Sequence, residues 1–165
     1  MVVAPRDRVE TALLAAAGTP AARLAGARPI AVGWATVELD RAAAELAEAF
    51  GLDVGVFRPV ARSMALGSSC LTARGVLADG GSLTLLEPDT EGRLAASLAR
   101  LGEGPVVAWL QTGEMAAAMV ALRVAGFTMS TQREGPFGPE RLIVDGAIYG
   151  PHSLLVSRST GTIRA

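Results

Sequence analysis

GSLTLLEPDTEGRLAASLARLGEGPVVAWLQTGEMAAAMVALRVAG, residues 81–126, changes its hydrophobic period several times and so sets the order of elements on either side of it. Residues 82–87 form an apolar strand-like run, ended by Pro88 because proline has no N–H for a strand ladder. A helix is expected over residues 90–101, opened by the Pro-Asp-Thr-Glu segment and stopped before Gly102. Residues 106–111 read as strand again. A second helix over about 113–125 then spaces Met115, Met119 and Leu122 along one face, and Gly126 closes it.

Working outward, the same order appears on both sides. Upstream, a strand at 30–37 follows Pro29. A helix at 39–50 has Asp40 in its first turn, Leu46 and Phe50 on one face and Gly51 at its end, and strand-like runs follow at about 54–60, 70–78 and 82–87. Downstream, strand-like segments fall at about 127–133, 140–148 and 152–157. Subtracting 75 lays Gly126 on Gly51 and Trp109 on Trp34, the two tryptophans of the chain. Strand, helix and three strands, repeated, argue for duplication. Before the repeat, Val9, Leu13, Leu14 and Ala17 at helical spacing predict a short packing helix over residues 6–17, stopped by Gly18-Thr19-Pro20. The expected organisation is α+β. A helical extension covers 1–28, and one domain covers 29–165 with two βαβββ units, about 29–88 and 104–158, joined by the 90–101 helix.

Composition narrows the function classes. The 165 residues are 50% hydrophobic with net charge −1, enough for one domain with a sizeable core. All 15 basic residues are Arg and none cluster, so nucleic acid, which requires several phosphates to be neutralised together, is not an expected partner. The lone Cys70 cannot form an internal disulfide and reads as a small buried apolar group rather than a nucleophile. No early apolar run has the length or flanks of a signal peptide or membrane span, and a bacterial cytoplasm is the expected compartment.

The words Leu83-Thr84-Leu85-Leu86-Glu87-Pro88 and Gly102-Glu103-Gly104-Pro105-Val106-Val107-Ala108-Trp109 resemble the vicinal-oxygen-chelate superfamily, the glyoxalase and bleomycin-resistance group, and above all its methylmalonyl-CoA epimerases. The resemblance covers about residues 29–158. It implies a glyoxalase-like fold, in which the two units form paired curved mixed sheets around a cleft. It also implies four cleft-facing ligands, one each from the first and last strands of both units, that hold a divalent metal. The matching positions here are Ala31, Thr84, Val107 (Val106 by the internal repeat) and about Leu154. Such a metal binds through nitrogen or oxygen lone pairs, and these side chains supply none of the required His, Glu or Gln. The expectation is therefore no metal and no cofactor, with a relocated divalent metal as the alternative.

The expected ligand-binding cleft comprises Ala31, Gly33, Arg74, Thr84, Val107, Trp109, Gln111, Tyr149, His152 and Leu154. Trp109 points into the cleft if Val107 holds the ligand position, and covers a helix if Val106 does, whereas the register of Trp34 turns it toward the 39–50 helix. Arg74 could meet an anionic ligand or be the solvent face of an edge strand. Gln111 and Tyr149 are possible hydrogen-bond donors at the cleft mouth. His152 is a candidate general base, or a strand-end residue with no carboxylate beside it in sequence. Glu87 is expected to favour the start of the following helix by about 0.3–1 kcal/mol. Pro136-Phe137-Gly138-Pro139 reads as a rigid turn that could also form a lid.

Three functions follow. One is metal-free binding of a small, largely apolar molecule. The second is a glyoxalase- or epimerase-type lyase or isomerase with a relocated metal or metal-independent acid–base chemistry. The third is a structural or regulatory domain with a closed cleft that pairs with itself or another protein. Because many superfamily members are dimers, a homodimer is expected. A side-chain-filled cleft would favour the third over the first.

Overall fold

The computed structural model describes residues 2–145 and 150–158. Helix α1 (Pro5–Ala17) starts on a proline and buries Val9, Leu13 and Ala16. A second, five-residue helix α2 (Pro20–Leu24) follows, with Thr19 Oγ1 accepting from the Ala22 amide at 3.2 Å. Periodicity could not find a helix this short, but Thr-Pro, a cap residue followed by proline, is its local signal.

The first unit runs β1 (Arg28–Ala35), α3 (Leu39–Phe50), a one-turn 3-10 helix (Val54–Val56), β2 (Arg58–Ser63), β3 (Ser68–Ala73) and β4 (Ser82–Pro88). Helix α4 (Arg93–Leu101) links it to β5 (Gly104–Thr112), α5 (Met115–Val124), β6 (Thr128–Met129), β7 (Glu140–Val144) and β8 (His152–Ser157). The strands form one curled eight-stranded sheet in the order β2-β3-β4-β1-β5-β8-β7-β6. Each unit pairs its first and last strands in parallel, and the units meet along antiparallel β1 and β5. The two half-sheets are thus hydrogen-bonded edge to edge.

The duplication is visible down to the turns. Thr36 Oγ1 accepts from the Glu38 amide before α3, and Thr112 Oγ1 from the Glu114 amide before α5, both at 3.2 Å. That junction fixes the repeat at 76 residues rather than 75, because α5 is two residues shorter than α3 and Gly51 and Gly126 lie 75 apart. Since side chains alternate along a strand, a one-residue slip reverses the face. Trp34 therefore lies in the outer cluster with Ala42, Ala43 and Leu46 of α3, while Trp109 lies on the concave side.

Three apolar clusters result. The outer face of the first unit packs Val32, Trp34, Leu83 and Leu85 against α1 and α3, and that of the second packs Ala108, Leu110 and Leu155 with residues of α2 and α5. The third cluster fills the concave face: Ala31, Ala35, Leu66, Cys70, Leu86, Leu94, Val107, Trp109, Leu142, Leu154 and Val156 are all buried together. Among the described residues, no helix is long and apolar enough to cross a membrane.

Candidate functional site: the concave face

Alternation along the central strands aims every second side chain into the hollow. Strand pairing arranges them in rungs. Thr72, Thr84, Gly33, Val107 and His152 lie side by side across β3, β4, β1, β5 and β8, and Ser82, Ala31, Trp109, Leu154 and Leu142 form the next rung. Thr84 pairs beside Gly33, two residues after Ala31, and Leu154 pairs beside Trp109, two residues after Val107. The four positions matched to metal ligands are therefore two symmetry-related pairs, which selects Val107 over Val106.

These residues do not fit a divalent metal. Ala31, Val107 and Leu154 carry no donor, and Thr84 Oγ1 is 2.9 Å from Thr72 Oγ1. No group of three or more His, Cys, Asp or Glu side chains that could hold a metal occurs among the described residues. The two ionisable groups closest in chemistry to ligands, His152 and Glu140, are far apart. Glu140 pairs with Val156, four residues along β8 from His152, a separation of about 13 Å at ~3.3 Å per residue.

His152 faces α4. Its Nε2 is 2.9 Å from Ser97 Oγ, and Ser97 Oγ donates to the Arg93 carbonyl at 2.9 Å. Burial, reinforced by the charge of Arg93, lowers the His152 pKa and favours a neutral imidazole. The pair ties the linking helix to the last strand. A base role requires the imidazole to reach a substrate proton, and here it is nearly inaccessible.

Glu140, which the sequence did not single out, is the charged group at the heart of the hollow. It is fully buried at the start of β7, with Ser63 Oγ donating to Oε2 at 2.5 Å and Trp109 Nε1 donating to Oε1 at 3.2 Å. Burial raises its pKa despite these donors. A glutamate opening a strand usually faces solvent, so ERLIV gave no sign of this. Above it, the 133–139 turn folds over the hollow. Phe137 meets Trp109 edge-on, with ring centroids 5.2 Å apart at 61°, and the Met64 amide donates to the Glu134 carbonyl at 2.9 Å, joining the units across the opening.

Packing beneath is equally tight. A Cβ on Gly33 would lie 2.7 Å from Leu86 Cδ1, 2.8 Å from Val107 Cβ and 2.9 Å from Trp109 Cζ3. Only a residue without a side chain lets the Trp109 ring settle there.

Other expected site residues lie elsewhere. Arg74 is exposed in the turn after β3, which ends at Ala73 rather than near residue 78, because Gly75 turns the chain at φ +67°. Gln111 is half-buried at the end of β5, beside Arg28 and Val156. Tyr149 lies outside the described residues. Cys70 is buried, and burial pushes its thiol up to about 11, which disfavours the thiolate. Glu87 serves α3 rather than α4: parallel pairing of β4 with β1 brings Oε1 3.3 Å from the Leu39 amide, which donates to it. Outside the hollow, an apolar groove of about 290 Å³ lies between α1 and the β3–β4 loop, lined by Leu13, Leu14, Ala17, Pro29 and Ala78, with Glu10 and Asp79 at its edges.

Duplicated βαβββ units joined through their first strands around a hollow define the glyoxalase-like fold. Solved structures bear this out. Methylmalonyl-CoA epimerase from Mycobacterium tuberculosis superposes with TM-score 0.66 at 20% identity over 79% of this chain and 87% of that one. A Streptomyces coelicolor methylmalonyl-CoA epimerase variant in complex with 2-nitronate-propionyl-CoA gives TM-score 0.63 at 22% identity over 81% and 95%. A hypothetical protein from Bacillus halodurans gives TM-score 0.64 at 13% identity over 81% and 95%. No family model matches the sequence, and no curated protein matches it significantly.

Proposed function

We propose that this chain is a metal-free protein of the glyoxalase-like fold that does not perform metal-assisted epimerase or lyase chemistry, and that its concave face serves as a closed core, leaving its surface to act. The observation that carries this reading is the burial of all four metal-equivalent side chains, Ala31, Thr84, Val107 and Leu154, the three aliphatic ones in a cluster that also holds Leu66, Leu94 and Trp109. A metal-polarised carbonyl requires both lone-pair donors and a substrate in contact with them. Self-association is the corresponding activity. Val120 and Val124, one turn apart on α5, are exposed and offer an apolar strip, and sedimentation would report the oligomer.

Thermal melting with Mn²⁺, Co²⁺, Ni²⁺ and Zn²⁺ tests this reading. A metal at about 100 times its Kd would stabilise the protein by about 2.7 kcal/mol, so the expected result is an unchanged Tm with each ion. A rise of several degrees, abolished by His152→Ala, would overturn the reading in favour of a relocated metal. Methylmalonyl-CoA, the compound named with one of the structural neighbours, is expected to be left unchanged by the purified protein.

A second reading, binding of a small, largely apolar molecule in the hollow, is favoured by one feature. A carboxylate is held in the apolar hollow beneath a turn, where a neutral side chain would be less costly to bury.

A further inference from the structure

From the contact between the turn and Trp109, we infer that Phe137 occupies the place of an external ligand: a planar aromatic group bearing hydrogen-bond donors, stacked against Trp109 and bonded to Glu140. This inference rests on the second reading above, and names its ligand class.

Phe137 differs in origin from its neighbours. Trp109, Leu142 and Leu154 are strand side chains that cannot leave the hollow without breaking the sheet. Phe137 comes from a turn and is half-buried, yet it supplies the aromatic edge against a fully buried Trp109. Few bonds hold the turn down. The Arg133 and Glu140 backbones pair at 2.9 and 2.7 Å, Met64 N–H reaches Glu134, and Gly138 N–H reaches the Gly135 carbonyl at 3.2 Å. Gly138 sits at φ +97°, a conformation that glycine takes without strain, while Pro136 and Pro139 stiffen the arms on either side.

The polar group beneath completes the match. Each carboxylate oxygen of Glu140 accepts one side-chain hydrogen bond and the Ala65 backbone donates a third, which still leaves the carboxylate, with about four lone-pair sites, room for one further donor. Gly135 lies directly over this carboxylate: a Cβ there would fall 1.8 Å from Oε1, so the turn approaches the acid through a residue with no side chain. An arene lodged beside Trp109, in the space Phe137 vacates, would place an N–H or O–H on its rim within reach of Oε1. The closed turn then competes with the ligand, and removing Phe137 removes that competition.

The test uses the full chain carrying Trp34→Phe, so that the remaining indole N–H resonance in a ¹H–¹⁵N spectrum belongs to Trp109. The probes are 2-aminobenzimidazole, a planar arene with donors, and 2-methylbenzothiazole, a similar shape without them. The expected result is a saturable shift of the Trp109 N–H with 2-aminobenzimidazole, tightened about tenfold or more by Phe137→Ala. Glu140→Gln is expected to weaken 2-aminobenzimidazole about tenfold and to leave 2-methylbenzothiazole unchanged, the loss of one charge-assisted hydrogen bond. If Phe137→Ala does not fold, Phe137→Leu, which keeps the bulk and loses the ring edge, takes its place with a smaller tightening expected. No saturable shift up to the solubility limit overturns the inference. So does equal binding of both probes to Phe137→Ala, the behaviour of a plain apolar cavity. Neither outcome touches the metal-free reading, which the melting experiment decides separately.

Discussion

The two halves of the concave face share a backbone and differ in what they put on it. Besides Leu66 and Leu86, the first unit contributes small groups: Ser68, Cys70, Thr72, Ser82 and Thr84, with Thr72 and Thr84 hydrogen-bonded to each other and Ser68 3.7 Å from Cys70. The second contributes Val107, Trp109, Leu142, Leu154 and Val156, with Glu140 among them. At symmetry-equivalent places, Gly33 corresponds to Trp109, and Cys70, beside Leu86, corresponds to Glu140, beside Val156. The strand order is the same in both halves, while the larger side chains lie mostly in the second. The bulkier half fills the space that the smaller half leaves, at the density of any protein interior.

The strongest way to break this complementarity is Trp109→Ala. It empties the bulky half and deprives Glu140 of a donor, so stability should fall by about 3–5 kcal/mol in urea unfolding, with the hollow newly accessible to an apolar dye. A loss below about 1 kcal/mol would mean that the ring is not part of the core. Next is the reciprocal change, Gly33→Ala, which adds one methyl to the small half. Contacts below 3 Å to three side chains, Val107 Cβ held to its strand among them, leave little room to adjust, and overpacking of about 1–3 kcal/mol is expected by the same measurement. A neutral result would show that the ring can slide.

The smallest effect sharpens the comparison electrostatically, since the second unit carries the buried carboxyl and the buried imidazole on this face. Glu140 has its pKa raised by burial, so its folded form holds the proton more tightly than the unfolded chain. Its contribution is fully present below the usual glutamate value of 4.5 and is lost as pH rises through the folded pKa. His152 is lowered, so its contribution is present above 6.5 and is lost as pH falls through the folded value. The Tm advantage of Glu140→Gln over the wild type should therefore grow from acid toward neutral pH. His152→Gln should lose least, relative to the wild type, on the acid side. Parallel curves for Glu140→Gln and the wild type would sink the assignment of Glu140.

Much of the architecture was legible residue by residue. Alternation placed β4 and β8, Gly51 and Gly126 marked the ends of α3 and α5, and strand–helix order revealed the duplication. Where local signals were weak, errors followed. A 75-residue register left the face of Trp109 open, Arg74 was read into a strand that ends at Ala73, and α2 was too short for its period to register.

Residue chemistry and short-range periodicity, then, settled the elements and their repetition, since each depends on neighbours within a turn or a strand. The closing of the hollow was decided by tertiary structure alone. Ser63 meets Glu140 across 77 residues of chain, Phe137 lies on Trp109, and Glu87 caps the helix before its strand rather than the one after it. No local pattern encodes those meetings. They arise when two curved half-sheets are joined edge to edge and the side chains between them must share one volume.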